Sequence, residues 1–491
     1  MNVFYAVFFI ALFFSLSFGA GGRCGTVRFI EELKNPQKKT LAKEYSAESL
    51  FGVQILERIT PNFIIYYATE GTDAIKFAVY IDSLEKYLEQ AYKLHKDTLG
   101  MKNIRGTART AYYRKNVPSG RYPVEVIDTG AWGYCSTYGQ TRFNDVRRPG
   151  ETQIAIENNF IYDVDCENKK KGTPFTSSIN EDYSKDGKWH LALKATVFHE
   201  LYHSFQMAQF NILKYGTFWL EASATGVEER GAPEVNDYID YLKSIFHNPG
   251  NSMEDLKSDE GYGYATLYLF LSSELGQKFD SHIWDYFSKY PEETFAVQLA
   301  RYVNIHGGED ENVEDLFHKY ATHIFYSGLR AELWPYLYKP FSDDMQMWPT
   351  WKINAAPSYL PAGTFDFVRM PNGATPSVDS AKITLLLKDN NYQIWALSRL
   401  LEKDFVPPTP FKEFAAYPNP WRPKRSEKVK FGPLPNSGGV EIRTANGALL
   451  KRIDGKTGDT LTWQPEKLPA PGILYYRTLP YGKNKMLILE H

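Results

Sequence analysis

Cysteine is scarce in this sequence: only three, Cys24, Cys135 and Cys166, occur among 491 residues. At most one intramolecular disulfide can form, which excludes a fold held together by several disulfides. The hydrophobic core must therefore supply the stability. A bond between Cys135 and Cys166 is compatible with the sequence, but the pairing of the three cysteines stays open.

An excess of charge of either sign is also missing. Lys and Arg total 56 against 58 for Asp and Glu, which gives a net charge of −2. Such a chain has no global positive field to attract nucleic acid or an anionic membrane surface. We therefore expect no nucleic-acid partner, and the sequence leaves the oligomeric state open.

Long apolar runs are limited to the N-terminus. Residues 1–19 contain no charged side chain, and the small residues Ala20, Gly21 and Gly22 follow them. This pattern is typical of a secretory signal peptide, which we place at residues 1–22. The alternative is a membrane anchor, although about 16 apolar residues are few for a span. The mature chain is therefore predicted to be secreted or held at the cell surface.

The length exceeds that of one ordinary domain, so several units are expected. The spacing of apolar residues predicts helices at 73–99, 264–275 and 313–325, and strands at 122–128, 152–157, 364–370, 382–388 and 392–397. A Pro-rich linker and a last β-rich stretch follow. We therefore predict an α+β domain with a mostly helical second half at 23–350, a β-rich spacer and linker at 351–408, and a β-sandwich-like domain at 409–491.

The sequence HELYH at residues 199–203 carries the clearest chemical signal. An apolar stripe through Phe198, Tyr202 and Phe205 predicts a half-buried helix here. On a helix, His199 and His203 are one turn apart, so both imidazoles can reach one metal ion. The alternative is a pair of hydrogen-bonded helix histidines without a metal.

A third metal ligand has to come from elsewhere in the chain. One class of such sites continues with Gly and His three and six residues after the second His, but Gln206 and Gln209 stand there, which excludes that class. Another class takes a glutamate from the next helix, and Glu221 lies at a spacing that suits two packed helices. Glu228 and Glu229 are rival ligands, although orienting a ligand histidine is a more natural role for them.

These two segments, HELYHSFQ and FWLEASATGVEE, resemble the gluzincin metallopeptidases, the superfamily of thermolysin and aminopeptidase N. The resemblance implies a thermolysin-like fold and a Zn²⁺ cofactor held by His199, His203 and Glu221. Phe218-Trp219 and Leu220 depart from the usual pattern of that helix, so no family within the group is assigned.

Two imidazoles and one carboxylate leave a fourth zinc position for water, whose pKa then falls towards about 7. Glu200 would accept the proton of that water and pass it to the departing amine, which predicts a zinc metallopeptidase acting on protein or peptide substrates. The strand at 152–157 is placed as the edge strand of gluzincins is, and it would bind an extended substrate as an added strand. This arrangement, with no aminopeptidase motif, favours an endopeptidase.

Tyr262 is the predicted donor to the oxyanion that forms during peptide hydrolysis. The segment at 261–268 resembles the tyrosine-bearing helix start of aminopeptidase-like gluzincins, and Tyr264 and Tyr268 share a face with core leucines. Tyr262 therefore remains as the candidate. The alternative is one more buried tyrosine in a chain that has 34.

The C-terminal domain has a resemblance of its own. YPNP at 417–420, VEIRTANG at 440–447, APGILYY at 470–476 and the strand at 485–489 are similar to the sorting domain of type IX bacterial secretion. The resemblance implies a contact with the secretion machinery, although the chain ends in Glu490-His491 where a basic residue is common. An immunoglobulin-like stalk without a targeting role is the alternative.

Two other functions stay open. A surface binding or adhesion protein with an inactive metallopeptidase fold would account for the aromatic content and the β-rich tail. A zinc hydrolase acting on a non-peptide substrate would use the same ligands.

Overall fold

The computed structural model describes Thr26 and residues 52–129, 133–136, 150–160, 189–209, 218–247, 250–256, 258–291, 293–306, 312–334, 340–403, 405, 415–417, 419–423, 427–434, 438–456, 459–465, 467–479 and 484–490. These residues form two compact units. One takes the chain up to Leu299 with Glu314–Lys403, and the other takes Ala300–Val313 with Asp404–His491. Helices and several sheets occur together, so the predicted mixed α+β class is confirmed.

The predicted signal peptide, Cys24, Cys166 and the prolines of the linker lie outside the described residues. The Cys135–Cys166 pairing and the domain boundaries therefore stay predictions. Among the described helices, none combines the length and the apolar character that a membrane crossing requires.

The first unit begins with a five-stranded sheet. Its strands are β1 (Ile55–Ile59), β2 (Phe63–Ala68), β3 (Tyr122–Ile127), β4 (Gly133–Ser136) and β5 (Gln153–Glu157), in the order β1-β2-β3-β5-β4. β2, β3 and β5 run parallel, while β1 and β4 pair antiparallel with their neighbours. β3 and β5 are buried at every residue, as expected for strands covered on both faces.

The strand predicted at 152–157 is present, but its predicted position at the sheet edge is wrong. β5 lies between β3 and β4, and β4 forms that edge in the described sheet. β4 has only four residues, Gly-Tyr-Cys-Ser, and shows no alternation of apolar and polar residues. Such a strand gives no period-2 signal in the sequence.

Several helices accompany this sheet along the described part of the chain. In chain order the helices are α1 (Tyr80–Lys93), α2 (Trp189–Gln209), α3 (Trp219–Gly231), α4 (Leu242–Phe246), α5 (Ala265–Leu275), α6 (Phe279–Lys289), α7 (Phe295–His306) and α8 (Val313–Phe325). The helix predicted at 73–99 is shorter, because α1 begins at Tyr80 and continues as a π-helix over Leu94–Thr98.

Helix α2 is the central helix of this unit and is buried on nearly all sides. It packs on β4 and β5, and helices α1 and α3 contact it as well. Tyr122 on β3 and Cys135 on β4 both contact the Ser204 hydroxyl of α2, at 2.7 and 3.4 Å. The sheet therefore fixes the position of the helix that carries HELYH.

The buried Asp280 connects three helices. Its carboxylate on α6 accepts hydrogen bonds from Tyr202 Oη of α2, from Trp219 Nε1 of α3 and from Trp284 Nε1. Burial raises the pKa of Asp280 to about 6, against the opposing effect of these three bonds. The Asp280 carboxylate on α6 is therefore hydrogen-bonded to both α2 and α3.

Replacing Asp280 with Ala should lower the free energy of unfolding by about 3 kcal/mol at pH 5, because buried donors would lose their acceptor. Chemical denaturation checks this. Asp285→Ala on the same helix is the control: Asp285 pairs with the exposed Lys102, so its loss should cost under about 1 kcal/mol.

The same variant tests the pKa of Asp280. Between about pH 4 and pH 6 the unfolded chain releases this proton while the folded chain keeps it, so stability falls as the pH rises through that window. Asp280→Ala should lack this part of the decline. Equal pH dependence in parent and variant would show that the folded Asp280 titrates normally.

A three-stranded sheet completes the first unit. Its strands β6 (Thr364–Pro371), β7 (Lys382–Lys388) and β8 (Tyr392–Arg399) lie in the order β6-β8-β7 and confirm the strands predicted there. The sheet packs on α8, whose His318 bonds to Ser398 and Thr384 hydroxyls at 2.7 Å each. The Glu314 carboxylate of α8 also accepts hydrogen bonds from the backbone N–H groups of Leu400 and Leu401, which follow β8.

The described residues of the second unit form seven strands in two antiparallel sheets. The strands are β9 (Ala415–Tyr417), β10 (Val429–Gly432), β11 (Val440–Thr444), β12 (Leu449–Ile453), β13 (Leu461–Trp463), β14 (Gly472–Thr478) and β15 (Lys485–Leu489), in the orders β13-β10-β9 and β12-β11-β14-β15. Trp421, Phe431, Trp463, Tyr476 and Leu487 belong to one core that both sheets share. A role of this unit in export stays a prediction.

Candidate metal centre

Helices α2 and α3 bring the three predicted ligands together. His199 Nε2 lies 3.0 Å from His203 Nε2 and 3.0 Å from Glu221 Oε2. His203 Nε2 lies 3.3 Å from Glu221 Oε1. The three side chains are 6%, 0% and 0% exposed, so this is a buried, convergent set of donor atoms.

Hydrogen bonds at the far side of each ring fix the tautomer of both histidines. His199 Nδ1 lies 2.5 Å from Glu228 Oε1, and His203 Nδ1 lies 2.7 Å from Gln206 Oε1. Both partners are acceptors, so both Nδ1 atoms carry the proton. Each Nε2 therefore presents a lone pair to the same point that the Glu221 carboxylate faces.

This donor set fits a small divalent cation. Bonds of about 2.0–2.1 Å in a tetrahedron place neighbouring ligand atoms about 3.3 Å apart, close to the separations here. Burial alone raises the pKa of Glu221, but the His203 and His199 rings outweigh it and lower that pKa to about 2. An ionised carboxylate with two neutral imidazoles is a typical zinc donor set.

Glu200 lies beside this group on α2, with its side chain buried. Its Oε2 accepts a hydrogen bond of 2.8 Å from the hydroxyl of Thr26. Burial raises the pKa of Glu200, while the neighbouring His199 and His203 and the hydrogen bond from Thr26 oppose the shift. A carboxylate with a raised pKa can both take and return a proton near neutral pH.

Tyr262 also lies at the site. It belongs to a 3-10 helix at Ser258–Tyr264, and its ring stacks on the His199 imidazole, with centroids 6.1 Å apart and planes at 17°. The Tyr241 ring also stacks on the Tyr262 ring, with centroids 4.6 Å apart. Tyr264 and Tyr268 are buried, as predicted. The oxyanion role of Tyr262 itself stays a prediction.

The two rival ligands are placed differently. Glu228 bonds to Nδ1 of His199, on the side of the ring away from the convergent donors, which is the orienting contact predicted for it. Burial, with Asp344 and Glu228 nearby, raises the pKa of Glu229 to about 9. A protonated carboxyl is a poor metal ligand.

Gln206 is a site residue whose role the sequence did not reveal. Its Nε2 donates to the Leu220 carbonyl at 3.0 Å and to the Ser223 hydroxyl at 2.9 Å, so its Oε1 must face His203. Gln206 therefore connects α3 to the His203 ring on α2 and fixes the orientation of this predicted ligand. The sequence showed only that a Gly was absent at this position.

Gln206→Met should weaken metal affinity by about 10- to 100-fold, because His203 loses the acceptor that fixes its tautomer. Competition with a calibrated chelator measures the change. Gln209→Met is the matched control one turn on: Gln209 contacts Met101 Sδ and not a ligand. Equal affinities in the two variants would remove Gln206 from the site.

A comparison with models of known protein families finds no match, and neither does a comparison with curated proteins.

Proposed function

We propose that this protein is a zinc-dependent metallopeptidase of gluzincin type with a thermolysin-like catalytic domain. The observation that carries the proposal is the convergence of two imidazole lone pairs and the Glu221 carboxylate beside a buried glutamate, Glu200. With the predicted signal peptide and C-terminal sorting-like unit, we place the activity outside the cell.

In this proposal His199, His203 and Glu221 hold the zinc, which when bound polarises a scissile carbonyl and acidifies water. Glu200 takes the proton of the attacking water and returns it to the departing amine. Tyr262 donates to the carbonyl oxygen as its negative charge grows. The edge strand β4 binds the extended substrate as an added strand.

The burial of these polar groups favours an active site over an inactive binding scaffold. Two histidines and two glutamates occupy positions in the core, where polar groups are costly unless they are paired or coordinate a metal. A scaffold without a metal would be more stable with apolar residues there. A cation bound between the two Nε2 atoms and the Glu221 carboxylate would offset the cost of burying these polar groups.

The test uses the purified full-length chain. Metal analysis should give about one zinc per chain, and mass spectrometry should find new peptides when casein is added. Loss of cleavage on treatment with a chelator, and its return with zinc, would tie the two results together. Full zinc with no cleavage of casein or of a mixed peptide library would contradict the peptidase and leave a non-peptide hydrolase.

A further inference from the structure

His95 is a histidine at a position of the core where the sequence pattern favours an apolar residue. Leu84, Leu88 and Ala91 lie on the buried face of α1, and His95 continues that face one turn further on, in the π-helical segment Leu94–Thr98. The residue is 0% exposed. π-helical turns are rare and often lie at functional sites. A buried imidazole costs stability unless its hydrogen bonds compensate, so the bonds of this ring need an account.

One hydrogen bond connects the His95 ring to α2. Its Nε2 lies 3.1 Å from the backbone carbonyl oxygen of Phe198. A carbonyl oxygen only accepts, so Nε2 carries the proton. Burial lowers the pKa of His95 to about 3, against the opposing effect of this bond, so the ring is neutral near pH 7. In the described structure the other ring nitrogen, Nδ1, is buried and has no hydrogen-bond partner.

The bond from His95 acts on the peptide group that leads into His199. The C=O of Phe198 and the N–H of His199 belong to one planar peptide unit. Inside α2 this oxygen already accepts the N–H of Tyr202, four residues on, so it does not need a second donor. The additional bond therefore fixes the plane from which the His199 side chain starts.

Packing alone does not account for a histidine here. The His95 ring meets the rings of Phe198, Tyr202 and Phe205 edge to face, with centroids 6.0, 5.1 and 5.4 Å apart. A leucine would contact the same apolar stripe of α2 without burying an unpartnered nitrogen. The three rings also hold the direction of the Nε2–H donor, as a positioning group requires.

We infer that His95 is a positioning residue for the candidate metal centre: its Nε2–H holds the peptide unit between Phe198 and His199, so that the His199 imidazole faces the other two predicted ligands. The inference rests on the proposed function and adds a residue that maintains its metal site. Glu228 orients the same imidazole through Nδ1. With the backbone bond lost, Nε2 points at the metal position in a smaller fraction of molecules, and the metal binds more weakly by that fraction.

The test uses the full chain with His95→Leu and His95→Gln. Leucine fills the space and has no donor, whereas glutamine keeps an amide N–H at about the place of Nε2. His95→Leu should weaken zinc affinity about tenfold, and His95→Gln should stay close to the parent. Competition with a calibrated chelator measures both. His95→Met is a second variant without the donor in case leucine disturbs folding.

Tyr92→Leu is the matched control on the same helix. Tyr92 also packs on α2, with its ring centroid 5.8 Å from that of Phe205, while the hydrogen bonds described for its hydroxyl are with Asn103 and Lys96. This variant should lower the free energy of unfolding and leave zinc affinity unchanged. His95→Leu should show the opposite pattern, because leucine keeps the apolar contacts. A purely structural role of His95 predicts lower stability with unchanged affinity.

A second measurement needs neither metal nor hydrolysis. The Nδ1 proton of His199, hydrogen-bonded to Glu228, should give a downfield signal in the proton NMR spectrum of the metal-free chain. Its loss in His199→Gln assigns it. The signal should shift or broaden in His95→Leu and keep its parental position in His95→Gln and Tyr92→Leu.

The outcomes separate this inference from the proposed function. A changed signal in His95→Leu, in a protein of which no form binds zinc or cleaves casein, would support the positioning role and contradict the metallopeptidase. An unchanged signal together with unchanged zinc affinity in His95→Leu would overturn the inference. A loss of affinity that Tyr92→Leu shares equally would also overturn it, since looser packing of α1 on α2 would then be the cause.

Discussion

Glu200→Gln is expected to keep about one zinc per chain while lowering kcat for peptide hydrolysis by about 10²- to 10⁴-fold. The glutamine has the same shape and can still accept the hydrogen bond from Thr26, so the fold and the three ligands stay in place. It cannot take a proton from the attacking water. Metal analysis and casein turnover on the same preparation measure the two effects.

Glu234→Gln provides the control for this change. Glu234 pairs with Lys194 of the same helix α2, but its side chain is exposed and lies outside the donor set. We expect that variant to bind zinc and to hydrolyse casein at the rate of the parent. Activity retained by Glu200→Gln at full zinc occupancy would exclude Glu200 as the proton acceptor and require another group in that role.

Local patterns in the sequence predicted what is local in the structure. Helix α8 spans the predicted residues 313–325, because its apolar positions recur with a clear helical period. His199 and His203 face the same point because four residues on a helix make about one turn. The pairing with Glu221 followed from a second helix close in sequence.

Contacts between distant segments left no such pattern. Strand β4 is too short to show alternation, and only the register of β5 against both neighbours reveals which strand is at the edge. Thr26 reaches Glu200 across 174 positions, and nothing in its neighbourhood marks it. Gln206 acquires its role only because α3 places the Leu220 carbonyl against its amide. Packing decides each of these roles, so sequence periodicity could not.

The identity of the third ligand gives the other large expected effect. Glu221→Ala should leave less than about a tenth of the zinc after dialysis, because two imidazoles alone form an incomplete site. The Glu221 carboxylate is 0% exposed and lies 3.0 and 3.3 Å from the two Nε2 atoms. An exposed carboxylate elsewhere on the protein could not take over its position. Metal analysis after dialysis against apo buffer measures the loss.

Glu228→Gln separates a ligand from an orienting residue. Glu228 contacts Nδ1 of His199 at 2.5 Å and not Nε2. A glutamine oxygen can accept the same hydrogen bond. This variant should therefore keep its zinc, with an affinity weaker by at most about 10- to 100-fold. Full zinc in Glu221→Ala together with loss in Glu228→Gln would reverse the two assignments. That result would place the metal at Nδ1 of His199 and not at Nε2. His203 Nε2 could not reach it there, so the site with two histidine ligands would be wrong.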